Sequence, residues 1–394
     1  MEKVKVLFVG IGGYAYTYIN EVLDHPDDRI AVVGLVDPYP EACPRLSELT
    51  ARDIPVFADM EAFFRTHTAD LAVITTPIHL HTRHILCALA HGANVLCEKP
   101  LCADEADIAL LQKARDAAGK FVYIGYQWSW SEAILALKRD CMAGCFGAAR
   151  ELKTIVLWPR DRAYFTRGSG WAGRLRAADG SLLYDSVACN AAAHYLHNLF
   201  FVLGGDGTAA QPESVTAELL RANDIENFDT ARICCTMPGG AAATFLAAHP
   251  VDQTLNPVFL YRFEHAAVCY AADDTPLTRS LLPEAYQEYG RITALFDNGE
   301  KRVYGNPFEN SCRKFHLALD AAACGLPGSA ACGIEAAAVH TRVINEIQRS
   351  CPVRPIKPTL LRCQDNLVSV DGLFDAMVET FRHPENSLLP FAAL

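Results

Sequence analysis

Short apolar runs and amphipathic stretches alternate regularly over the first 125 residues. The runs at 4–9, 30–36, 55–57, 71–75, 94–97 and 121–125 are apolar and largely β-branched, the composition of strands buried on both faces of a parallel sheet. Between them the pattern predicts helices over roughly 14–24, 40–50, 59–66, 80–91 and 104–118. Asp59 and Asp104 stand where a side chain can cap free N–H groups, and Gly92 and Gly119 where helices should stop. Such alternation predicts a doubly wound α/β domain over 1–125.

Beyond residue 125 the pattern changes. A helix over 130–143 leads to a strand at 150–157, a Gly- and Arg-containing loop over 159–180, and an apolar helix at 187–203. Strand-like runs at 213–221, 229–237, 241–248 and 258–271 follow without regular intervening helices, which predicts a large, mainly antiparallel open sheet. Helices are expected at 311–324, ending at Gly325-Leu326-Pro327, at 333–349, and at 371–382 in a proline-bearing tail. The expected organisation is α/β over 1–125 and α+β over 126–394, with the tail 351–394 packing on the second domain.

Composition narrows the possible partners. Hydrophobic residues make up 51% of the chain and charged residues 21%, ample for large cores. The net charge of −11 lacks the basic footprint that nucleic acid or an anionic membrane requires, so neither is expected as a partner. His, Gly and Asp break the apolar runs before they reach the length of a membrane span. The opening MEKVKVLFVG enters a strand with no signal-peptide pattern. The 15 cysteines are scattered and form no Cys-x-x-Cys pair, which predicts buried free thiols, a cytoplasmic location and no metal. The apolar runs 229–237 and 241–248 predict a sheet face left bare by helices. A second subunit would hide it, so a homodimer or homotetramer is expected.

Candidate chemistry begins at Gly10-Ile11-Gly12-Gly13-Tyr14-Ala15, a G-x-G-x-x-A between a strand and a helix. Gly10 permits a tight turn, Gly12 lets backbone approach a pyrophosphate, and Ala15 keeps the helix close to the sheet. Asp37 ends the second strand 22 residues after Ala15, where an acid binds ribose hydroxyls and repels the extra phosphate of NADP. The cofactor expected is NAD.

The segment from Thr75 to Pro100 carries a family likeness. Thr76-Pro77, then His81, Ala88-Leu89 and Gly92, then Glu98-Lys99-Pro100, resembles the glucose–fructose oxidoreductase / inositol dehydrogenase / MocA (Gfo/Idh/MocA) family. The likeness is dense to about residue 125 and thinner beyond. It implies an N-terminal Rossmann domain followed by an α+β domain with an open sheet. It also implies that Lys99 points at both the nicotinamide and the reacting hydroxyl, and that Pro100 follows a cis bond. Glu98 would orient the lysine or meet the nicotinamide end. The cofactor-binding set is then Gly10, Gly12, Gly13, Tyr14, Ala15, Asp37, Thr75, Thr76, Pro77, His81, Glu98 and Lys99. Lys99 also makes sense by position alone, because the carboxyl end of a parallel strand faces the ligand crevice and an ammonium there stabilises charge on a substrate oxygen. A lysine snorkelling from a strand end is the alternative.

A third constellation runs from Asp185 to Asn198 and ends at Leu203-Gly204. The family pattern is Asp-x-Gly-x-His-x-x-Asp or His, on a helix ending in Leu-Gly. Counted back from Gly204, its histidine falls on His194, the following position on His197, its aspartate on Asn190 and its glycine on Ala192. Counted from Gly180 through Leu183, Asp185 takes the aspartate's place and Cys189 the histidine's. The first register is preferred because Asn190, His194 and His197, at i, i+4 and i+7, would share one helix face. The catalytic set is Lys99, His194, Asn190 and His197, with His194 accepting the hydroxyl proton and Asn190 orienting it or a sugar hydroxyl. A packed core histidine is the alternative for each ring.

Gly125-Tyr126-Gln127-Trp128-Ser129-Trp130 stands where the family often carries Gly-x-x-x-Arg-Phe. Its tryptophans could stack on a sugar face or fill a core. The loop Trp158 to Phe165, continuing to Trp171 and Arg174, implies by resemblance a part in the substrate pocket, and its arginines could bind anionic groups or simply be solvated. The substrate set is Tyr126, Trp128, Trp171, Asp185, Asn190 and His194. These readings combine into an NAD-dependent oxidoreductase acting on a hydroxyl of a sugar, polyol or glycoside, a carbohydrate-like small molecule. Two alternatives stand beside it: a glycosidase, lyase or epimerase that keeps NAD for transient oxidation, and a non-catalytic regulator that binds NAD and a ligand.

Overall fold

The computed structural model describes residues 3–167, 170–325 and 331–393. The chain divides into two compact units, Met1–Trp130 with Asn310–Ala338, and Ser131–Glu309 with Val339–Leu394. The first contains six parallel strands: β1 (Val4–Val9), β2 (Ile30–Val36), β3 (Val56–Phe57), β4 (Leu71–Ile74), β5 (Asn94–Cys97) and β6 (Val122–Ile124). Their order is β3-β2-β1-β4-β5-β6, so the winding reverses beside β1 and opens a crevice at the carboxyl ends of β1 and β4. All four residues of β4 are buried, as a central parallel strand requires.

The helices of this unit follow local chemistry. The Asp59 carboxylate caps Met60–Phe64 by accepting from the Ala62 N–H at 2.7 Å. Gly119, at φ +60°, closes Asp107–Ala118 in the left-handed conformation. Asp104 accepts from the Ala106 N–H at 2.9 Å, ahead of the helix start at Asp107. The helix expected over 40–50 is instead a 3-10 turn, Pro40–Ala42, and a short helix, Leu46–Thr50. Cys43 precedes Pro44 and is extended, because the proline ring disfavours helical backbone at the residue before it.

The segment 310–338, which the sequence places in the second domain, belongs to the first unit. The Phe315 ring lies 5.5 Å from Tyr18 and 6.3 Å from Phe8, and the Ile124 N–H donates to the Cys332 carbonyl at 2.9 Å. Arg115 pairs with Glu335 at 2.8 Å. The helix is Arg313–Cys324, closed by Gly325 at φ +63°; Leu326 and Pro327, expected to follow it, lie outside the described residues.

The second unit is built on nine strands. They are β7 (Ala149–Leu157), β8 (Ser214–Arg221), β9 (Thr230–Thr236), β10 (Ala242–Ala248), β11 (Leu255–Phe263), β12 (Ala266–Ala271), β13 (Ile292–Phe296), β14 (Lys301–Gly305) and β15 (Val353–Pro355). Their order is β14-β13-β12-β11-β7-β10-β9-β8-β15, antiparallel except for the β7–β10 and β8–β15 pairs. The run at 258–271 is a hairpin, turned at Glu264-His265, rather than one strand. On one face the Tyr261 hydroxyl meets Thr154 at 3.3 Å and accepts from Asn198 of the helix Ala193–Phe201 at 3.1 Å.

The opposite face carries Ile155, Leu157, Leu246, Leu260 and Cys269, packed with Leu373, Phe374, Met377 and Phe381 of the helix Leu373–Arg382. The tail thus packs on part of the sheet face expected to need a second subunit, with Leu246 and Ala248 of β10 in this cluster. Among the described residues no helix is long and apolar enough to cross a membrane.

Candidate active site

The glycine-rich loop leaves β1 at Gly10, whose φ is +80°. A Cβ there would lie 2.9 Å from Thr76 Cγ2 and 3.0 Å from the Thr76 nitrogen, so only glycine fits. Thr75 Oγ1 donates to the Gly10 carbonyl at 2.5 Å and ties this loop to the end of β4. Gly13, at φ +56°, is exposed with nothing within 4 Å of a Cβ position, which leaves open space before the helix Ala15–Asp24. Gly12 is half-buried, Ala15 is buried and Tyr14 is exposed. Asp37 is half-buried; its Oδ2 accepts from the Ile11 N–H and its Oδ1 from the Tyr39 N–H, both at 2.9 Å. Each oxygen keeps lone-pair capacity for a ribose hydroxyl. A close-approach glycine, an open helix N-terminus and a fixed carboxylate fit a dinucleotide.

Lys99 follows the end of β5, half-buried, and the Lys99–Pro100 bond is cis. Glu98 turns its carboxylate inward. Its Oε1 accepts from the Tyr18 hydroxyl at 2.5 Å and from the Lys314 ammonium at 2.6 Å, and its Oε2 from the Lys99 backbone N–H at 3.4 Å. Lys314, 1% exposed, also donates to the Gly125 carbonyl at 3.2 Å and to the Tyr14 hydroxyl at 3.3 Å. Desolvation pulls the Lys314 pKa down, but attraction to Glu98, aided by Tyr14, outweighs it and the pKa is raised. Burial, then the Glu98 charge, pushes the Tyr18 phenol well up. A Cβ on Gly125 would sit 2.6 Å from Glu98 Oε1, so a side chain there would displace the carboxylate. Glu98 is thus a buried, paired carboxylate held by Lys314 and Tyr18, and its hydrogen bond to Lys99 runs through the backbone.

Sequence reasoning missed Lys314. A signal was present, because Lys314 falls on the apolar stripe of Phe315, Ala318 and Leu319, where an ammonium needs a buried partner. His81, in the expected cofactor-binding set, is 1% exposed and bridges two backbone carbonyls. Its Nδ1 lies 2.7 Å from the Pro100 carbonyl and its Nε2 2.8 Å from the Thr76 carbonyl. Burial lowers its pKa although both carbonyls raise it. His81 therefore ties the cis-proline turn to the end of β4. Thr75, Thr76 and Pro77 are half-buried at that strand end.

In the second unit the helix expected over 187–203 is broken. A π-helical turn, Val187–Ala191, precedes Ala192 and the α-helix Ala193–Phe201. Regular spacing thus links His194 to His197 only, and Asn190 lies across the break. The Asn190 side-chain amide donates to Asp185 Oδ1 at 2.9 Å, while Asp185 Oδ2 accepts from the Gly173 N–H at 2.6 Å. The two candidates for the family's aspartate are bonded to each other. His194 is half-buried. His197 is wholly buried, and burial first, then the charges of His340 and Lys138, holds its pKa well below the ordinary imidazole value. Its ring is packed in the core, with its centre 5.5 Å from that of Phe201.

The aromatic residues separate in the same way. Tyr126 and Trp128, at 0% and 1% exposure, are buried, and Trp130 donates its indole N–H to the Ile124 carbonyl at 2.8 Å. The core alternative describes Trp130 directly. Trp171 is half-buried with the Arg167 guanidinium 4.9 Å from its ring. Among the described residues no group of three or more His, Cys, Asp or Glu side chains is arranged to hold a metal ion.

Residues 4–126 match the Gfo/Idh/MocA model, described as an oxidoreductase family with an NAD-binding Rossmann fold. The chain is 31% identical over 140 residues to an inositol 2-dehydrogenase of Paracoccus denitrificans, a match covering 35% of this chain and 40% of that protein. It is 26% identical over 143 residues to the scyllo-inositol 2-dehydrogenase (NADP(+)) IolW of Bacillus subtilis, covering 35% and 38%. The chain spans about half the length of the curated relatives it matches, or less. The WlbA dehydrogenase from Bordetella pertussis, crystallised with NADH and UDP-GlcNAcA, shares the fold at a TM-score of 0.68 and 20% identity, over 89% of this chain and 96% of that one. Over residues 4–126 the chain is therefore similar to the NAD-binding Rossmann domain of the Gfo/Idh/MocA oxidoreductase family.

Proposed function

We propose that this protein is an NAD-dependent dehydrogenase oxidising a hydroxyl of a sugar, polyol or glycoside. The observation that carries the reading is the setting of Lys99. It follows β5 on a cis-proline turn fixed by His81, and the adjacent Glu98 charge is matched by Lys314. Glu98, Lys99 and Lys314 together leave one positive charge in excess, a source of stabilisation for a substrate oxygen that becomes negative.

Gly10, Gly12 and Gly13, with the helix N-terminus at Ala15, would hold the pyrophosphate of NAD, and Asp37 the ribose; Thr75, Thr76 and Pro77 border the same strand end. NAD, when bound, supplies the hydride-accepting ring. Lys99 donates to the reacting oxygen, His194 accepts its proton, and the bonded Asp185–Asn190 pair offers polar contacts to further hydroxyls. Incubation with NAD and a panel of sugars and polyols, followed by NADH absorbance, tests this reading. Substrate-dependent NADH is expected. Substrate turnover with NAD retained and no NADH released would replace it with transient oxidation, and ligand binding without turnover with a regulator.

Asp37 carries a separate expectation. The native protein should bind NAD more tightly than NADP, and Asp37→Ala should weaken NAD about tenfold or more while affecting NADP little, the scale of a hydrogen bond to a charged group. Titration showing equal native affinity for the two cofactors would remove the role given to Asp37.

A further inference from the structure

Two arginines of the second unit share one tyrosine ring. The Arg167 guanidinium carbon lies 3.6 Å from the Tyr164 ring centre and the Arg160 carbon 5.1 Å from it, with Trp158 5.5 Å beyond Arg160 and Trp171 4.9 Å from Arg167. Both arginines are half-buried. Neither forms an ion pair among the described residues. Their hydrogen bonds go to backbone carbonyls, Arg160 to Pro159 at 3.4 Å and Arg167 to Tyr164 at 2.5 Å. The Arg160 Nε is buried and has no acceptor.

Among the described residues no carboxylate pairs with either guanidinium, although the Asp185 charge reaches Tyr164. His249 packs against Tyr164, with ring centres 5.5 Å apart, and its Nδ1 faces the Trp158 carbonyl at 2.9 Å. Burial first, with Arg160 and Arg167 adding to it, holds the His249 pKa down to about 3, so the ring is neutral. Asp161 caps the Tyr164 N–H at 3.0 Å, and Asp185 receives the Gly173 N–H and the Asn190 amide. The loop is held in place. The Arg162 N–H donates to the Asn366 carbonyl at 3.0 Å, Asp161 bridges to Leu367, and the Trp158 indole donates to Asn256 at 2.9 Å.

Two fixed guanidiniums on one ring repel each other, and half-burial weakens the water that would screen them. A planar guanidinium presents paired donors that match a carboxylate or phosphate. We propose that Arg160 and Arg167, stacked on Tyr164, form an oxyanion-binding site, and that the substrate of this protein carries a carboxylate or phosphate group. The site rests on the dehydrogenase reading only for the identity of the molecule that brings the anion.

Calorimetric titration of the NAD-loaded protein tests it without requiring turnover. The probes are D-glucuronate for the carboxylate, D-glucose 6-phosphate for the phosphate, and D-glucose as the neutral control. At least one anionic sugar is expected to bind about tenfold or more tighter than glucose, and Arg160→Gln and Arg167→Gln should each remove about that factor. Arg167→Lys, which keeps the charge but loses the fork, should recover only part of it. The arm that responds identifies the carboxylate or the phosphate as the source. Equal binding of all three sugars, absence of binding by both anions, or unchanged anion binding in both glutamine variants with native circular dichroism would overturn the site. Failure of NADH formation with intact anion binding would instead count against the dehydrogenase reading alone.

Discussion

Lys99→Ala should reduce turnover about 10²-fold or more, the scale of one lost electrostatic donor, and leave NAD affinity nearly intact. In the proposed reading the glycine loop and Asp37 hold the dinucleotide, and that substitution does not touch them. His194→Ala should cost about 10²–10⁴-fold, the range for removal of a general base. The fall in rate on the acid side that a protonating imidazole imposes should disappear with it. A histidine that only packs would behave otherwise, because its loss would lower the melting temperature and spare the activity of the folded protein. A snorkelling lysine would show neither change. Thermal stability, NAD binding and turnover measured on the same two variants separate these outcomes. Near-native turnover in both would refute the proposed chemistry.

The second large effect is expected at Lys314. Replacing it with methionine leaves the Glu98 carboxylate buried without its counter-ion, a change that costs about 3–5 kcal/mol in comparable buried pairs. Glu98→Gln combined with Lys314→Met removes both charges and should recover most of that loss, as a double-mutant cycle on denaturant unfolding would show. Equal stability of the single and double variants would mean that the ion pair contributes nothing specific. The pH dependence has a fixed sign. Because the Lys314 pKa is raised in the folded chain, its contribution is complete below the ordinary lysine value. It is lost only as pH climbs through the folded value, so the contribution of Lys314 should fade on the alkaline side.

Much of the first unit was legible because a central parallel strand is apolar at every position. β1, β2 and β5 fall on the runs read from the sequence, and β4 one residue short. The places of the glycine loop after β1 and of Asp37 after β2 were legible because their spacing is local. Lys314 was not, since its partner lies 216 residues away and spacing along a chain reports neighbours only. The break at Ala192 escaped for another reason. Asn190, His194 and His197 fit an α-helical period, and nothing in those side chains announces a π-turn, which is set by how the backbone closes over Ser186 and Ala192. The cover supplied by the helix Leu373–Arg382 was hidden similarly: its apolar stripe was visible, but not the sheet face it meets.

The discontinuity of the first unit has a consequence for how the protein is made. Ribosomes deliver chain at about 5–20 residues per second, and N-terminal segments begin to fold first. Some 180 residues separate Trp130 from Asn310, so about 10–40 s pass before Lys314 emerges. Throughout that interval the nascent β1–β6 sheet holds Glu98 and Tyr18 with no ammonium to complete them, and Phe8 lacks the ring of Phe315. The first unit therefore cannot reach its final form as an autonomous early product. Its maturation waits for the strands β7–β14 to leave the ribosome.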